Sequence, residues 1–108
     1  MKYKVIFTKR ADCDLRDIYE YIAFTLLEPE TASRQLERIE KSILSLEEIP
    51  DRFRAFEKEP WHSRGLRQMP VDNFLVFYIP KANDETVTVI RVMYEGRNID
   101  EQLEEINQ

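Results

Sequence analysis

Along the chain, apolar positions change period three times, and each change marks an element. Tyr3, Val5 and Phe7 alternate with polar neighbours apart from Ile6, which predicts a short strand over 3–7. Leu15, Ile18, Ile22 and Leu26 then recur every three or four residues. That spacing predicts an amphipathic helix from Ala11 to about Thr25, capped at its start by the Thr8 hydroxyl. Glu28-Pro29-Glu30 breaks this helix and suits the first turn of a second. Ala32, Leu36, Ile39, Ile43 and Leu46 mark one face of that second helix, which ends before Pro50. With so short a connection the two helices pack as an antiparallel hairpin, and their apolar stripes need a sheet to lie on.

The second half supplies one. Leu66 to Val71 reads as a strand joined by Asp72-Asn73, a pair that tolerates positive φ, to the run Phe74 to Ile79. Both faces of that run are apolar, as expected for a central strand covered on two sides. Thr86 to Tyr94 is a third strand, with Val87, Val89, Arg91 and Met93 on one face under strict alternation. A guanidinium in mid-strand requires a partner, so Arg91 either pairs with a carboxylate or faces a groove where something binds. Residues 51–64 read as irregular, with Phe53, Phe56 and Trp61 tacking the segment to the core. Ile99, Leu103 and Ile106 predict a short C-terminal helical tail over 98–108. The expected fold is α+β: one domain over 1–108, ordered β-α-α-β-β-β, with a helical hairpin on a mainly antiparallel four-stranded sheet.

Composition narrows the chemistry. The 108 residues carry a net charge of −5, unevenly spread. Residues 1–51 hold eight Lys/Arg against eleven Asp/Glu, 52–97 hold eight against six, and 98–108 hold none against four. An acidic chain is poorly suited to holding nucleic acid by its phosphates, so no sequence-specific DNA binding by this chain alone is expected. One cysteine, Cys13, excludes an internal disulfide, and no run of about 18 apolar residues occurs, which together point to the cytoplasm and away from a membrane. One histidine and one cysteine make no zinc set, and the two glycines make no phosphate loop. No metal or cofactor is expected.

The order of these elements, with GLRQMPVDNFLVFYIP followed by VTVIRVMYEGRN, resembles the ParE/RelE superfamily of type II toxin–antitoxin toxins. The opening, with Ala11, Asp14-Leu15 and Tyr21-Ile22, is similar to the superfamily's first strand and helix. The resemblance implies a growth-inhibiting toxin, in systems associated with plasmid stabilization, that a cognate antitoxin neutralises. It leaves two activities open on one fold. RelE-like members are ribosome-dependent mRNA endoribonucleases; ParE-like members inhibit DNA gyrase and are not known as nucleases.

Three features draw the chain toward the ParE branch. Leu75 stands where RelE-like nucleases carry a strand arginine, the chain is acidic where they are basic, and Tyr94-Glu95-Gly96-Arg97-Asn98 resembles the ParE His-x-x-Arg-Asp ending with the arginine kept. A gyrase inhibitor needs no catalytic residue, and its partner contacts would include Arg67, Arg91, Tyr94 and Arg97. A metal-free ribonuclease needs a base, a cation for the phosphate and an acid. Its set here would be Arg67, Tyr94 and Arg97, with Glu57, Glu59 or His62 as base. Set against both, the arginines serve as ion-pair partners within the fold and His62 as an exposed loop residue. A third reading is a degenerate toxin that survives as an antitoxin-binding module.

Overall fold

A computed structural model describes residues 2–96 and Leu103. The chain runs β1 (Lys4–Phe7), α1 (Lys9–Glu20), a π-helical turn (Tyr21–Thr25) and α2 (Pro29–Leu44). After two short 3₁₀ turns come β2 (Arg54–Ala55), β3 (Arg67–Val71), β4 (Phe74–Lys81) and β5 (Thr86–Tyr94). The expected α+β architecture is present, with the sheet one strand wider: five strands in the order β1-β5-β4-β3-β2. The added strand is β2, which pairs antiparallel with β3 at Arg54↔Gln68 and Ala55↔Arg67, inside the segment read as irregular. β1 pairs parallel with β5, and β5, β4 and β3 form an antiparallel meander.

Local signals act as the sequence suggests at several points. Thr8 caps α1, its Oγ1 accepting from the Ala11 N–H at 3.1 Å. Asp72, at φ +56°, makes the tight link between β3 and β4. α1 itself stops earlier than expected, at Glu20, because the next turn widens to the π form, with the Leu26 N–H reaching the Tyr21 carbonyl at 3.0 Å.

The sheet has a core on each face. On the helix side, Met69, Val71, Val76, Tyr78, Val87, Val89 and Val92 pack on Ala11, Ile39, Ile43 and Leu46. On the other, Phe77 and Met93 meet Trp61, Leu66 and Leu103, with Phe56 and Leu75 at the margin. Strict alternation along β5 does not hold. The register steps from Phe77↔Arg91 to Tyr78↔Val89, so Ile90 is an extra residue that shifts the phase of the strand. Val87 and Val89 therefore share a face with Val92, not with Met93. Within the expected C-terminal tail only Leu103 is described, and it is buried in the second core; Ile99 and Ile106 lie outside the described residues.

Tyr78 is fully buried, its hydroxyl donating to the Pro50 carbonyl at 2.7 Å. Burial, partly offset by Arg67 and Arg52 nearby, pushes this phenol from 10.0 up to about 12. The folded state thus keeps a proton that the unfolded chain releases above pH 10. Stability from this group is intact below that pH and is lost as pH rises toward 12. Absorbance at 295 nm during an alkaline titration should show one tyrosine ionising late, together with the loss of tertiary signal.

Candidate functional site

Where β1 ends at Phe7, β5 runs on past it, and residues of the first helix take over that edge. The Thr8 hydroxyl donates to the Ile90 carbonyl at 3.0 Å. In the second turn of α1, Asp14 accepts the Val92 N–H at 3.0 Å and grips Arg91 with both oxygens, at 2.7 Å from Nε and 2.9 Å from Nη2. Arg91 is 3% exposed and Asp14 8%. The mid-strand guanidinium thus has its carboxylate, from a residue 77 positions earlier in the chain.

Above this pair lies a groove of about 670 Å³ between the helical hairpin and the free end of the sheet. One wall is Asp17 and Ile18 of α1 with Tyr21, Ile22 and Leu26 of the turn that follows; the other is Phe74 and Tyr94. Thr31 and Gln35 of α2 lie at its helical end. The π turn leaves Tyr21 and Leu26 about half exposed. Beside them Phe24 is 69% and Leu27 80% exposed, with Leu27 held at φ +57°, a conformation a branched side chain seldom adopts. The Tyr94 ring stands edge-on to Phe74, with centroids 5.8 Å apart, and Gly96 gives it room: a Cβ there would meet the ring at 2.7 Å.

The other candidate residues are dispersed. Arg67 lies opposite Tyr78 and Tyr94 opposite Phe74, four residues apart along β4 and on the strands that flank it. At ~3.3 Å per residue and ~4.8 Å per strand, their backbones are roughly 16 Å apart. Arg67 is also committed locally, Nη1 donating to the Phe53 carbonyl at 2.6 Å and Nε lying 3.8 Å from Asp51. Glu57 pairs with Arg54 at 3.3 Å, Glu59 accepts from the Ser63 hydroxyl, and the His62 Nδ1 is 3.0 Å from the Phe56 carbonyl. All three sit in the segment that carries Phe56 and Trp61 onto the second face of the sheet. Arg97 lies outside the described residues. Arg91, named above among possible partner contacts, is enclosed within the fold.

Asp14 and Tyr21 are the site residues that sequence reasoning passed over in these roles. Asp14 is one of twenty-one carboxylates, and only the packing of α1 on β5 selects it for Arg91. For Tyr21 a signal existed: Tyr21, Phe24, Leu26 and Leu27 put four large apolar residues at a helix end just before Pro29, more than one buried stripe can use. Among the described residues no His, Cys, Asp and Glu cluster could hold a metal ion, and no helix is long and apolar enough to cross a membrane.

A family model described as the ParE toxin of the type II toxin–antitoxin system parDE matches residues 5–99, most of the chain. The chain belongs to the ParE toxin family. No curated protein sequence matches it. Among solved structures, a chain of the chromosomal ParDE system from P. aeruginosa superposes with a TM-score of 0.70 at 20% identity, covering 86% of this chain and 96% of that one. A chain of the RelBE2 toxin–antitoxin complex from Mycobacterium tuberculosis gives 0.68 at 19%, covering 90% and 95%. The isolated E. coli RelE toxin gives 0.60 at 18%, covering 96% and 98%. At these identities the structures share the fold with this ParE-family chain, across both branches of the superfamily.

Proposed function

We propose that this type II toxin arrests growth by binding and inhibiting DNA gyrase, and that a cognate antitoxin neutralises it by laying a segment across the helical hairpin and the end of the sheet. One observation carries the gyrase half of the reading: among the described residues, the groups a metal-free ribonuclease would have to converge on one phosphate do not converge. Arg67 and Tyr94 stand at opposite corners of the meander, and Arg67 is engaged by Phe53 and Asp51. Leu75, where a RelE-like enzyme carries its strand arginine, is half-buried at the margin of the second core. Inhibition by binding needs surface and not proton transfer, and the groove with its apolar rim provides surface. The antitoxin half rests on family membership.

The test is supercoiling of relaxed plasmid by purified gyrase, with the toxin titrated in. Dose-dependent inhibition, or accumulation of cleaved plasmid, is the expected result. Unimpaired supercoiling by a folded, growth-arresting preparation, together with cleaved transcripts in the arrested cells, would transfer the reading to ribosome-dependent mRNA cleavage.

A further inference from the structure

We infer that the tip of the helical hairpin, residues 24–30, is the surface that meets gyrase, with Phe24 and Leu27 as apolar anchors and a cationic surface of the enzyme as their receptor. This rests on the gyrase reading above and names the contact that reading needs. Every residue from Phe24 to Glu30 is exposed, and neither Phe24 nor Leu27 lines the groove. Two large apolar side chains held in solvent add nothing to the core. Leu27 in addition follows the helix cap at φ +57°, a place where helices commonly end on glycine and a branched side chain is strained.

The backbone holds this shape without using either side chain. The Leu26 N–H reaches the Tyr21 carbonyl and the Glu28 N–H the Ile22 carbonyl, each at 3.0 Å, and the Thr31 hydroxyl donates to the Glu28 carboxylate at 2.8 Å. Tyr19 props the Phe24 ring edge-on, with centroids 6.4 Å apart. The tip is a fixed knob, so docking through it orders little that is not already ordered.

Charge identifies the receptor. Between Arg16 and Arg34 the sequence has four carboxylates, Asp17, Glu20, Glu28 and Glu30, and no Lys, Arg or His. Glu20, Glu28 and Glu30 have no ion-pair partner among the described residues. An enzyme that holds DNA by its phosphates carries cationic surface, and an apolar knob flanked by carboxylates is the complement of such a surface. An anionic lipid surface is repelled by the same carboxylates.

The experiment is supercoiling of relaxed plasmid by purified gyrase, titrated with the wild-type toxin and three variants at low and high salt, with a melting temperature for each protein. Leu27→Gly should melt no lower than the wild type, because glycine takes the left-handed conformation without strain, and should still need at least tenfold more toxin for half-inhibition. Phe24→Ser should weaken inhibition to a similar extent with its melting temperature unchanged. Glu20→Lys puts a cation at the C-terminal end of α1, which the helix dipole favours, and should weaken inhibition more at low salt than at high. Unchanged half-inhibition by Phe24→Ser and Leu27→Gly would overturn the tip as the gyrase contact and leave the gyrase reading standing; loss of antitoxin binding in those same variants would then assign the tip to the antitoxin. No inhibition by a folded wild-type toxin would overturn both.

Discussion

An Asp14→Ala variant is expected to lose about 3–5 kcal/mol of folding stability, the usual cost of removing one member of a buried ion pair. The carboxylate satisfies three donors at once: Arg91 Nε, Arg91 Nη2 and the Val92 N–H. Without it a guanidinium that is 3% exposed loses the Asp14 carboxylate at the point where β5 is held to the first helix. For a domain whose total stability is on the order of 5–15 kcal/mol, that leaves little margin. Urea unfolding followed by circular dichroism measures the effect. The double variant Asp14→Ala, Arg91→Met should be more stable than Asp14→Ala alone, because the buried guanidinium that lost the Asp14 carboxylate is gone. A loss below about 1 kcal/mol for the single variant would mean that other groups around Arg91 suffice to hold its charge.

Phe77→Ala is expected to destabilise by a similar ~3–5 kcal/mol through a different mechanism, the cavity left by a large buried ring. Phe77 is fully buried on the sheet face opposite the helices and stands edge-on to Phe56, with centroids 5.9 Å apart. Trp61, Leu66, Met93 and Leu103 pack in the same cluster, so this ring helps fasten the segment 56–66 to the sheet. The variant should therefore show a lowered urea midpoint and faster proteolytic cleavage within 56–66. Phe24→Ala is the control: its ring is 69% exposed, and its removal should change stability by no more than about 0.5 kcal/mol. Equal losses for the two would show that the second face of the sheet is not a core.

Local backbone signals are readable along this chain where strand register is not. The Thr8 cap, the break at Pro29 and the turn at Asp72-Asn73 were legible because each depends on a few adjacent residues with distinctive backbone chemistry. Arg91 was legible as a demand for a partner, yet the identity of that partner depends on how α1 crosses β5. The added strand β2 escaped because two residues, Arg54 and Ala55, show no alternation. The extra residue Ile90 escaped because β5 is apolar on both faces, so a shift of phase changes no hydrophobic pattern. The dispersal of Arg67 and Tyr94 follows from pairing register as well. Residues that could be listed together as a reaction set are kept apart by the geometry of the meander.

The strand order carries one more consequence, in the time domain. β1, near the start of the chain, pairs with β5, which is complete only at Tyr94. Emerging from the ribosome, the helical hairpin and the first strands of the meander can form early, but β1 cannot join the sheet until β5 has been made. Closing so long a loop is slow compared with local contacts. The groove inherits this delay, since Val92, Met93 and Tyr94 are part of its lining. A nascent toxin therefore cannot present its finished surface until β5 has been synthesised, so an antitoxin already in the cell has all the time before that in which to be waiting.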